Sequence, residues 1–453
     1  MKKAGSKDIA FLLKKSGIAL TVKAGGMITQ YIFIFTMAQL LGPGQLGSYT
    51  LAFTVVQLSS ILALLGLDNL IIRKIAASRA AGNLTDLKQA YLTSRKITGI
   101  TSLILAVLLY FASPFLANVI FHKPGMLNHL QFASMALPPF TWIVLHAAAF
   151  RGAKNMIGFT LFKTIIPLLN TALILLAFYS NSSITPVQGF TITVFIVSLG
   201  YLIVWNKFQS INEIDAGTQI EWRDLIKQSL PMMITGSVFF ILNWVDNLVI
   251  GIYRTESELG IYDTAFKISS ASAAILMAVN AIQAPTFAEI HSQKDHQRLR
   301  KYVYNSTRLL FYATAPLTIL LLLFPEWILS LFGKAFTPGA YPLQILAIGN
   351  FINCITGSVG ILLMMTGYQI QYNRIIMIAA AIGIGLNFLL VPILGIEGAA
   401  YSSTISKIIW NLWSVYFVYK NLGLVSIYLP GLKRPSPTAE NKFDFKDKPN
   451  TNQ

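Results

Sequence analysis

Long apolar stretches recur along almost the whole chain, separated by short turns or by basic segments. Most are about 20 residues long, which is the length of α-helix that crosses the hydrocarbon core of a bilayer. Only 12% of the 453 residues are charged, whereas soluble domains carry about 25%. Because so few charges cannot cover a soluble protein of this size, and because the mean hydropathy is +0.60, we predict an all-α membrane protein.

A repeated motif divides the chain into two related halves. The segment LGSYTLAF at residues 46–53 returns as LGIYDTAF at residues 259–266, with Leu, Gly, Tyr, Ala and Phe at matching places. The first copy follows the uncharged turn Gly42-Pro43-Gly44, which indicates a helix, a tight turn and a second helix. The pattern predicts about twelve transmembrane helices in two six-helix lobes that are related by this internal repeat.

The repeat and the distribution of polar residues predict four regions. An N-lobe occupies residues 1–206, and a C-lobe occupies residues 229–420. The cytoplasmic linker between them, residues 207–228, carries a predicted interfacial helix that begins near Trp222. The polar, Pro-rich residues 421–453 are predicted to form a disordered cytoplasmic tail. The predicted spans are residues 16–41, 48–72, 94–117, 127–149, 156–179, 184–206, 229–251, 262–287, 308–331, 341–366, 373–394 and 397–420.

The 35 Lys and Arg residues are distributed unevenly between the two predicted sides of the membrane. Only Lys123, Arg254 and Lys334 lie in loops on one side, and four more lysines lie within spans. All the others fall in the termini or in loops on the opposite side. Because cytoplasmic loops carry the excess of positive charge, both termini are predicted to be cytoplasmic, in a multi-pass protein of the inner (plasma) membrane. The same distribution explains the net charge of +17 without a nucleic-acid partner.

Four lysines lie within predicted spans: Lys23, Lys163, Lys267 and Lys407. A charged side chain at the centre of a span costs at least about 2.5 kcal/mol and usually faces a cavity or a partner. One interpretation is a cationic cavity, in which the lysines would bind a compact anion such as a diphosphate. The other is that the ammonium groups reach the lipid headgroups, which suits lysines within about two turns of a helix end. The central position of Lys407 favours the cavity for that residue.

Two acidic residues and two glutamines are further candidates. Asp68 is predicted near the cytoplasmic end of the second span, where an ion pair or a helix cap is favoured over a role in ion coupling. Asp246 is predicted either to pair with Lys267 or to bind a coupling cation. Gln30 and Gln39 are candidates for contact with sugar hydroxyls in the cavity, and hydrogen bonding between helices is the alternative.

No cofactor or metal site is predicted. The sequence has no G-x-x-x-x-G-K-[ST] loop, which argues against nucleotide-driven transport by this chain alone. Its single cysteine, Cys354, does not form part of a metal-binding cluster. His146 has two interpretations, a packing residue or a proton-titrating group, of which packing is favoured.

Several segments resemble one family of membrane transporters. The chain is similar to polysaccharide exporters and lipid-linked oligosaccharide (O-antigen type) flippases of the multidrug/oligosaccharidyl-lipid/polysaccharide superfamily, which is MATE-like. The resemblance extends in order over nearly all of residues 10–425. The segments that carry it include LLGPGQLGSYTLAF (40–53), LGLDNLIIRKIA (65–76), FRGAKN (150–155), VDNLVIG (245–251) and LVPILGIEGAAYSSTIS (390–406).

The resemblance implies a fold and a function. It implies that the two six-helix lobes surround a central cavity and work by alternating access. Such proteins move a polyprenyl-diphosphate-linked oligosaccharide from the cytoplasmic to the outer leaflet for assembly of lipopolysaccharide O-antigen, capsule or exopolysaccharide. They are transporters and not enzymes. Membrane lipid, the lipid-linked oligosaccharide and a polysaccharide polymerase or chain-length machinery are the partners that follow from this resemblance.

Two other functions are weighed against the flippase. A drug or cation antiporter of the same superfamily would bind cationic substrates and would need cavity carboxylates, yet lysines outnumber acidic residues within the predicted spans. A membrane polysaccharide polymerase would need a sizeable outer loop with catalytic residues, whereas the predicted outer loops are short. The sequence therefore favours the flippase.

Overall fold

The computed structural model describes residues 4–81, 84–153, 155–208 and 221–430. Within these ranges it describes the backbone, but not the side chains, of residues 4–24, 79–81, 84–88, 156, 162–163, 204–208, 234–235, 239–242 and 281. Lys23 and Lys163 fall in the second set.

The described residues form helices joined by short turns and contain no β-strand, which confirms the predicted all-α class. A π-helix covers Leu116–Ile120, and a 3-10 helix covers Lys334–Gly339. The α-helices in chain order are α1 (Ala4–Leu64), α2 (Leu67–Ala81), α3 (Leu84–Phe115), α4 (Met126–Gly152), α5 (Met156–Tyr179), α6 (Pro186–Phe208), α7 (Trp222–Tyr253), α8 (Glu256–Ser269), α9 (Ala271–Ser292), α10 (His296–Leu323), α11 (Pro325–Ser330), α12 (Ala340–Ile355), α13 (Val359–Met365), α14 (Gln369–Leu394) and α15 (Ile396–Leu422).

Helix length and hydropathy agree with about twelve spans. In the described part of the chain, eight segments are long and apolar enough to cross a membrane, or nine if the bent segment 256–292 counts as one span. One of these, α1, joins two predicted spans across a non-helical residue, Gly42, with φ 74° and ψ −178°. Helices α7 and α15 have 32 and 27 residues, so at about 1.5 Å per residue they also exceed the bilayer thickness.

The chain forms two compact units that divide after Gly260. The first unit contains α7, which packs against α1 and α2, although the sequence predicts α7 as the start of the C-lobe. The predicted lobe boundaries therefore remain a prediction. The predicted interfacial helix near Trp222 is continuous with α7, while residues 209–220 of the predicted linker lie outside the described part.

The second predicted span, residues 48–72, is wrong at its C-terminal end. The helix stops at Leu64, and α2 begins at Leu67 after two residues with positive φ, Leu65 (50°) and Gly66 (78°). The reason is a close approach of α7, because a Cβ atom on Gly66 would overlap the carbonyl oxygen of Ser229. The break follows from this tertiary contact, which the local apolar pattern does not encode.

Residues 423–430 are packed within the second unit, whereas the sequence predicts disorder from residue 421. Gly423, with φ 61°, ends α15 in the left-handed conformation that favours glycine. Leu424 then joins an apolar cluster that includes Phe287 and Leu363, and the Tyr428 backbone N–H donates to the Ile355 carbonyl oxygen at 3.1 Å. The rest of the predicted tail, residues 431–453, lies outside the described residues.

Candidate functional site

A polar group in the second unit surrounds the lysine at the centre of α15. Lys407 Nζ donates a hydrogen bond to Asn350 Oδ1 at 3.0 Å and lies 5.3 Å from the centre of the Phe266 ring. Asn350 Nδ2 in turn donates to Ser269 Oγ at 3.1 Å. An amide oxygen and an aromatic face both stabilise a cation, so the site between helices α8, α12 and α15 suits an ammonium group.

The polar group continues along α15 by one turn. Asn411 Nδ2 donates to the Lys407 carbonyl oxygen at 2.9 Å, and Asn411 Oδ1 accepts from Thr356 Oγ1 at 3.1 Å. Asn350 and Asn411 are both buried. Buried amides of this kind are normally hydrogen-bonded, since an unpaired polar group inside a protein is costly. The network therefore fixes the position of the lysine backbone as well as its side chain.

Small residues bring α12 and α15 close enough for this network to form. A Cβ atom on Gly349 would lie 2.8 Å from Thr404 Oγ1, and that hydroxyl donates to the Ile345 carbonyl oxygen at 3.0 Å. On another face of α15, Ser406 Oγ donates to the Ala379 carbonyl oxygen of α14 at 2.8 Å. Small side chains allow helix backbones to approach closely within membranes, and Lys407 follows directly after this stretch of α15.

A second lysine of the same unit forms an ion pair. Lys267 Nζ lies 2.5 Å from Asp263 Oδ2, one turn earlier on α8. The Lys267 side chain is 19% exposed and the Asp263 side chain only 2%. Asp263 belongs to the repeated motif at residues 259–266. Lys267 and Phe266 are neighbours, so the ion pair and the Lys407 site share one turn of α8.

The remaining predicted cavity residues and Asp246 lie in the first unit. Gln30 and Gln39 are exposed on α1, and Asp246 is buried on α7, 2% exposed. Lys23 and Lys163 lie on α1 and α5, and their side chains lie outside the described part of the structure. A place in the substrate cavity for these lysines and glutamines stays a prediction, as does the pairing or ion-coupling role of Asp246.

Asp68 lies in the first turn of α2, and not near the end of a continuous helix as the sequence predicts. Because the helix breaks at Gly66, its carboxylate sits at a helix N-terminus, where negative charge is favourable. Arg151, in the last turn of α4, is the basic residue that acts on it electrostatically. This position supports a structural role at the helix end.

The structure also assigns residues that the sequence did not single out. Asn350, the partner of Lys407, is one of three amide residues on the mainly apolar helix α12. Amides within a predicted span are the sequence signal for such a polar site. His146, buried on α4, uses Nδ1 in a 2.6 Å hydrogen bond with the Trp142 carbonyl oxygen, which supports the packing interpretation. Over the residues that the structure covers, no group of three or more His, Cys, Asp or Glu side chains could hold a metal ion.

Long apolar helices with a half-buried lysine held between them define a multi-pass membrane protein. Solved structures with this fold include an inward-facing multidrug resistance MATE family transporter, with a TM-score of 0.71 and 15% identity over 88% of this chain and 94% of the other. The lipid II flippase MurJ, in an inward closed conformation, has a TM-score of 0.69 and 15% identity over 90% of each chain. At this identity the likeness shows the fold.

Sequence comparison gives the family. A family described as polysaccharide biosynthesis protein matches residues 36–340, which is more than half of the chain, and the protein belongs to this family. A probable low-salt glycan biosynthesis flippase of Haloferax volcanii, Agl15, is 25% identical over 185 residues, 41% of this chain and 39% of the relative. A probable flippase of the same organism, AglR, is 27% identical over 179 residues, 38% of this chain and 37% of the relative.

The matched part spans less than half the length of these curated relatives. Their names describe these two relatives as probable flippases.

Proposed function

We propose that this protein is a flippase that moves a polyprenyl-diphosphate-linked oligosaccharide from the cytoplasmic to the outer leaflet of the plasma membrane. Family membership in polysaccharide biosynthesis and the relatives named as probable flippases support this proposal. The oligosaccharide would serve a cell-surface polysaccharide such as O-antigen, capsule or exopolysaccharide. A polymerase or chain-length machinery would take up the flipped unit.

The observation that carries the proposal is the Lys407 site. A lysine at the middle of a span costs at least about 2.5 kcal/mol, and a structural role could be filled more cheaply by an apolar residue. Here the ammonium group is held by a neutral amide, Asn350, and the side chain is half-buried. Such a cation attracts a diphosphate, which is the compact anion of the substrate class.

The proposed mechanism is alternating access. The diphosphate and sugars pass through a hydrated cavity lined by Lys407 and Lys267, with Lys23 and Lys163 as further cations. Gln30 and Gln39 contact sugar hydroxyls, and the polyprenyl chain stays in the bilayer. A charged headgroup then avoids the cost of losing its water in the hydrocarbon core.

A deletion strain tests the proposal. Surface polysaccharide and extracted polyprenyl-linked glycans are measured with empty plasmid, with the wild-type gene and with Lys407→Ala or Lys407→Arg. We expect the deletion to lose surface polymer and to accumulate the lipid-linked unit inside the cell, and the wild type to reverse both. Lys407→Ala should not restore surface polysaccharide, although the variant protein is made at the normal level. Lys407→Arg should restore more of it than Lys407→Ala does. Lys420→Ala changes an exposed lysine of the same helix and should restore it fully.

Two outcomes would replace the proposal. The fold is shared with multidrug transporters, so unchanged polymer with altered drug sensitivity would identify a drug or cation antiporter. Unpolymerised units that accumulate on the outer leaflet would instead identify a polymerase.

A further inference from the structure

The end of α7 and the start of α8 pack directly against the repeated motif in α1. A Cβ atom on Gly47 would overlap the carbonyl oxygen of Glu256, and one on Gly260 would overlap the carbonyl oxygen of Pro43. We call this contact the glycine seam, defined by Pro43, Gly47, Glu256 and Gly260. Because the backbones touch with no side chain between them, the two segments fit together closely at this end of the first unit.

A lysine joins the same segments from a third element. Lys123 lies in the turn between the π-helix and α4, and its Nζ donates a hydrogen bond to the Gly251 carbonyl oxygen. That carbonyl is within the last four residues of α7, where carbonyl groups lack an intrahelical partner. A cation at a helix C-terminus is also favoured by the helix dipole.

Further hydrogen bonds order the turn that carries Lys123 and the loop that follows α7. The Lys123 backbone N–H donates to Ala117 O at 2.7 Å, and its carbonyl accepts from the Met126 N–H at 2.9 Å. On the other side, Thr255 and Glu258 form a reciprocal cap at the start of α8, with the Thr255 N–H and Oγ1 each 3.0 Å from Glu258 Oε2. A bond between two rigid segments restrains their separation more than one between mobile loops.

The repeat assigns the segment around Gly251 and Gly260 to the second half of the chain, whereas Pro43, Gly47 and Lys123 belong to the first half. The positive-charge distribution predicts that this end faces outward. If the two halves alternate access, opening to the outside requires these contacts to part. The glycine seam supplies complementary shape, and Lys123 supplies a side-chain hydrogen bond across it.

We propose that Lys123 is a latch that holds the outward end of the protein closed and releases when the transporter opens to the outside. The latch rests on alternating access under the proposed function, and it acts by positioning α7 rather than by touching substrate. Removing it should shift the equilibrium toward the open state by about tenfold, which is the order of effect of a hydrogen bond to a charged group. In a protein without this bond, the backbone contacts of the glycine seam are still present in the closed state.

The test uses the accessibility of a buried position beside the seam. Cys354 is the single cysteine and is buried, so Cys354→Ser gives a cysteine-free parent. Leu46, 0% exposed and next to Gly47, is replaced by cysteine as the reporter. A membrane-impermeant maleimide is added from outside to intact cells. The labelling rate of the reporter cysteine is measured in the parent and in Lys123→Met, Lys123→Arg and Lys334→Met. Size-exclusion chromatography checks that each variant is folded. Gly260→Val serves as a wedge that forces the seam apart.

We expect Lys123→Met to speed labelling about tenfold, with Lys123→Arg close to the parent. Lys334→Met should leave the rate unchanged, because Lys334 is exposed and predicted on the same side. Equal rates for Lys123→Met and the parent, while the Gly260→Val wedge speeds labelling, would overturn the latch. Labelling only from the cytoplasmic side would overturn it as well. If Lys123→Met speeds labelling but the deletion strain makes normal polysaccharide, the latch proposal is supported. The proposal that the substrate is a lipid-linked oligosaccharide is then contradicted.

Discussion

Gly47 and Gly260 occupy the same place in the two copies of a repeated motif, and they lie against each other in the structure. The backbone nitrogen of Gly47 is 3.0 Å from the position that a Cβ atom on Gly260 would take. The two copies of the repeat therefore form one helix contact. The backbones are so close there that neither position has room for a side chain.

Replacing Gly260 with alanine should destabilise the protein by about 1–3 kcal/mol, as overpacking does elsewhere. The added methyl group would overlap the Pro43 carbonyl oxygen, and one of the two backbones must move. Gly44→Ala is the matched control, since a Cβ atom there meets nothing within 4 Å. The melting temperature in detergent checks the prediction, which fails if both variants melt together with the wild type.

The Lys407–Asn350 pair should show strong coupling in a double-mutant cycle. Asn350→Leu removes the hydrogen-bond acceptor of a cation and should be clearly destabilising. Lys407→Met should cost less, because an apolar side chain of similar length removes the charge together with its need for a partner. The double variant should be more stable than Asn350→Leu, with a coupling energy of about 0.5–3 kcal/mol. Additive shifts in melting temperature would mean that the hydrogen bond contributes little.

Truncation of Leu424 should reveal that the segment after α15 is part of the fold. Leu424 is 4% exposed in an apolar cluster with Phe287 and Val418, so Leu424→Ala should cost about 2–5 kcal/mol. Leu429→Ala is the control, because that side chain is 39% exposed and its loss should change stability by less than about 0.5 kcal/mol. Thermal unfolding of the purified variants distinguishes them. Equal melting temperatures would show that residues 423–430 do not contribute to stability.

Stability should depend on pH through Lys123, which lies in a turn outside the spans. Burial lowers the pKa of this lysine, and the nearby Glu256 and Glu258 carboxylates oppose that shift without cancelling it. Its folded-state pKa is therefore below the value of about 10.4 for an unfolded lysine. Between the two values the unfolded chain binds more protons, so the contribution of Lys123 to stability rises with pH in that window.

The measurement is the difference in stability between the wild type and Lys123→Met from about pH 8 to about pH 10.5. Subtracting the variant removes the titration of every other group that the two proteins share. We expect the free energy of unfolding of the wild type to increase relative to that of Lys123→Met as pH rises. A difference that falls over this range would contradict the direction of the pKa shift.

Much of the fold was predictable because span length and hydropathy are properties of contiguous sequence. The turn at Gly42 and the lysine inside α15 were both visible in this way. The break at Gly66 was not, since it depends on α7, which lies more than a hundred residues away along the chain. Asn350 was equally hidden as a partner, because its place beside Lys407 depends on how closely α12 approaches α15 through Gly349.

The sequence by itself determined that this chain spans a membrane through about twelve helices, repeats one motif twice and carries lysines within its spans. The tertiary structure alone decided which groups those lysines and glycines meet. Lys407 binds Asn350, Lys267 binds Asp263, and Gly47 packs beside Gly260. The physical reason is that crossing a bilayer depends on the total apolar length of each helix, whereas a hydrogen bond depends on a distance of about 3 Å between atoms. That distance is set only when all the helices have packed.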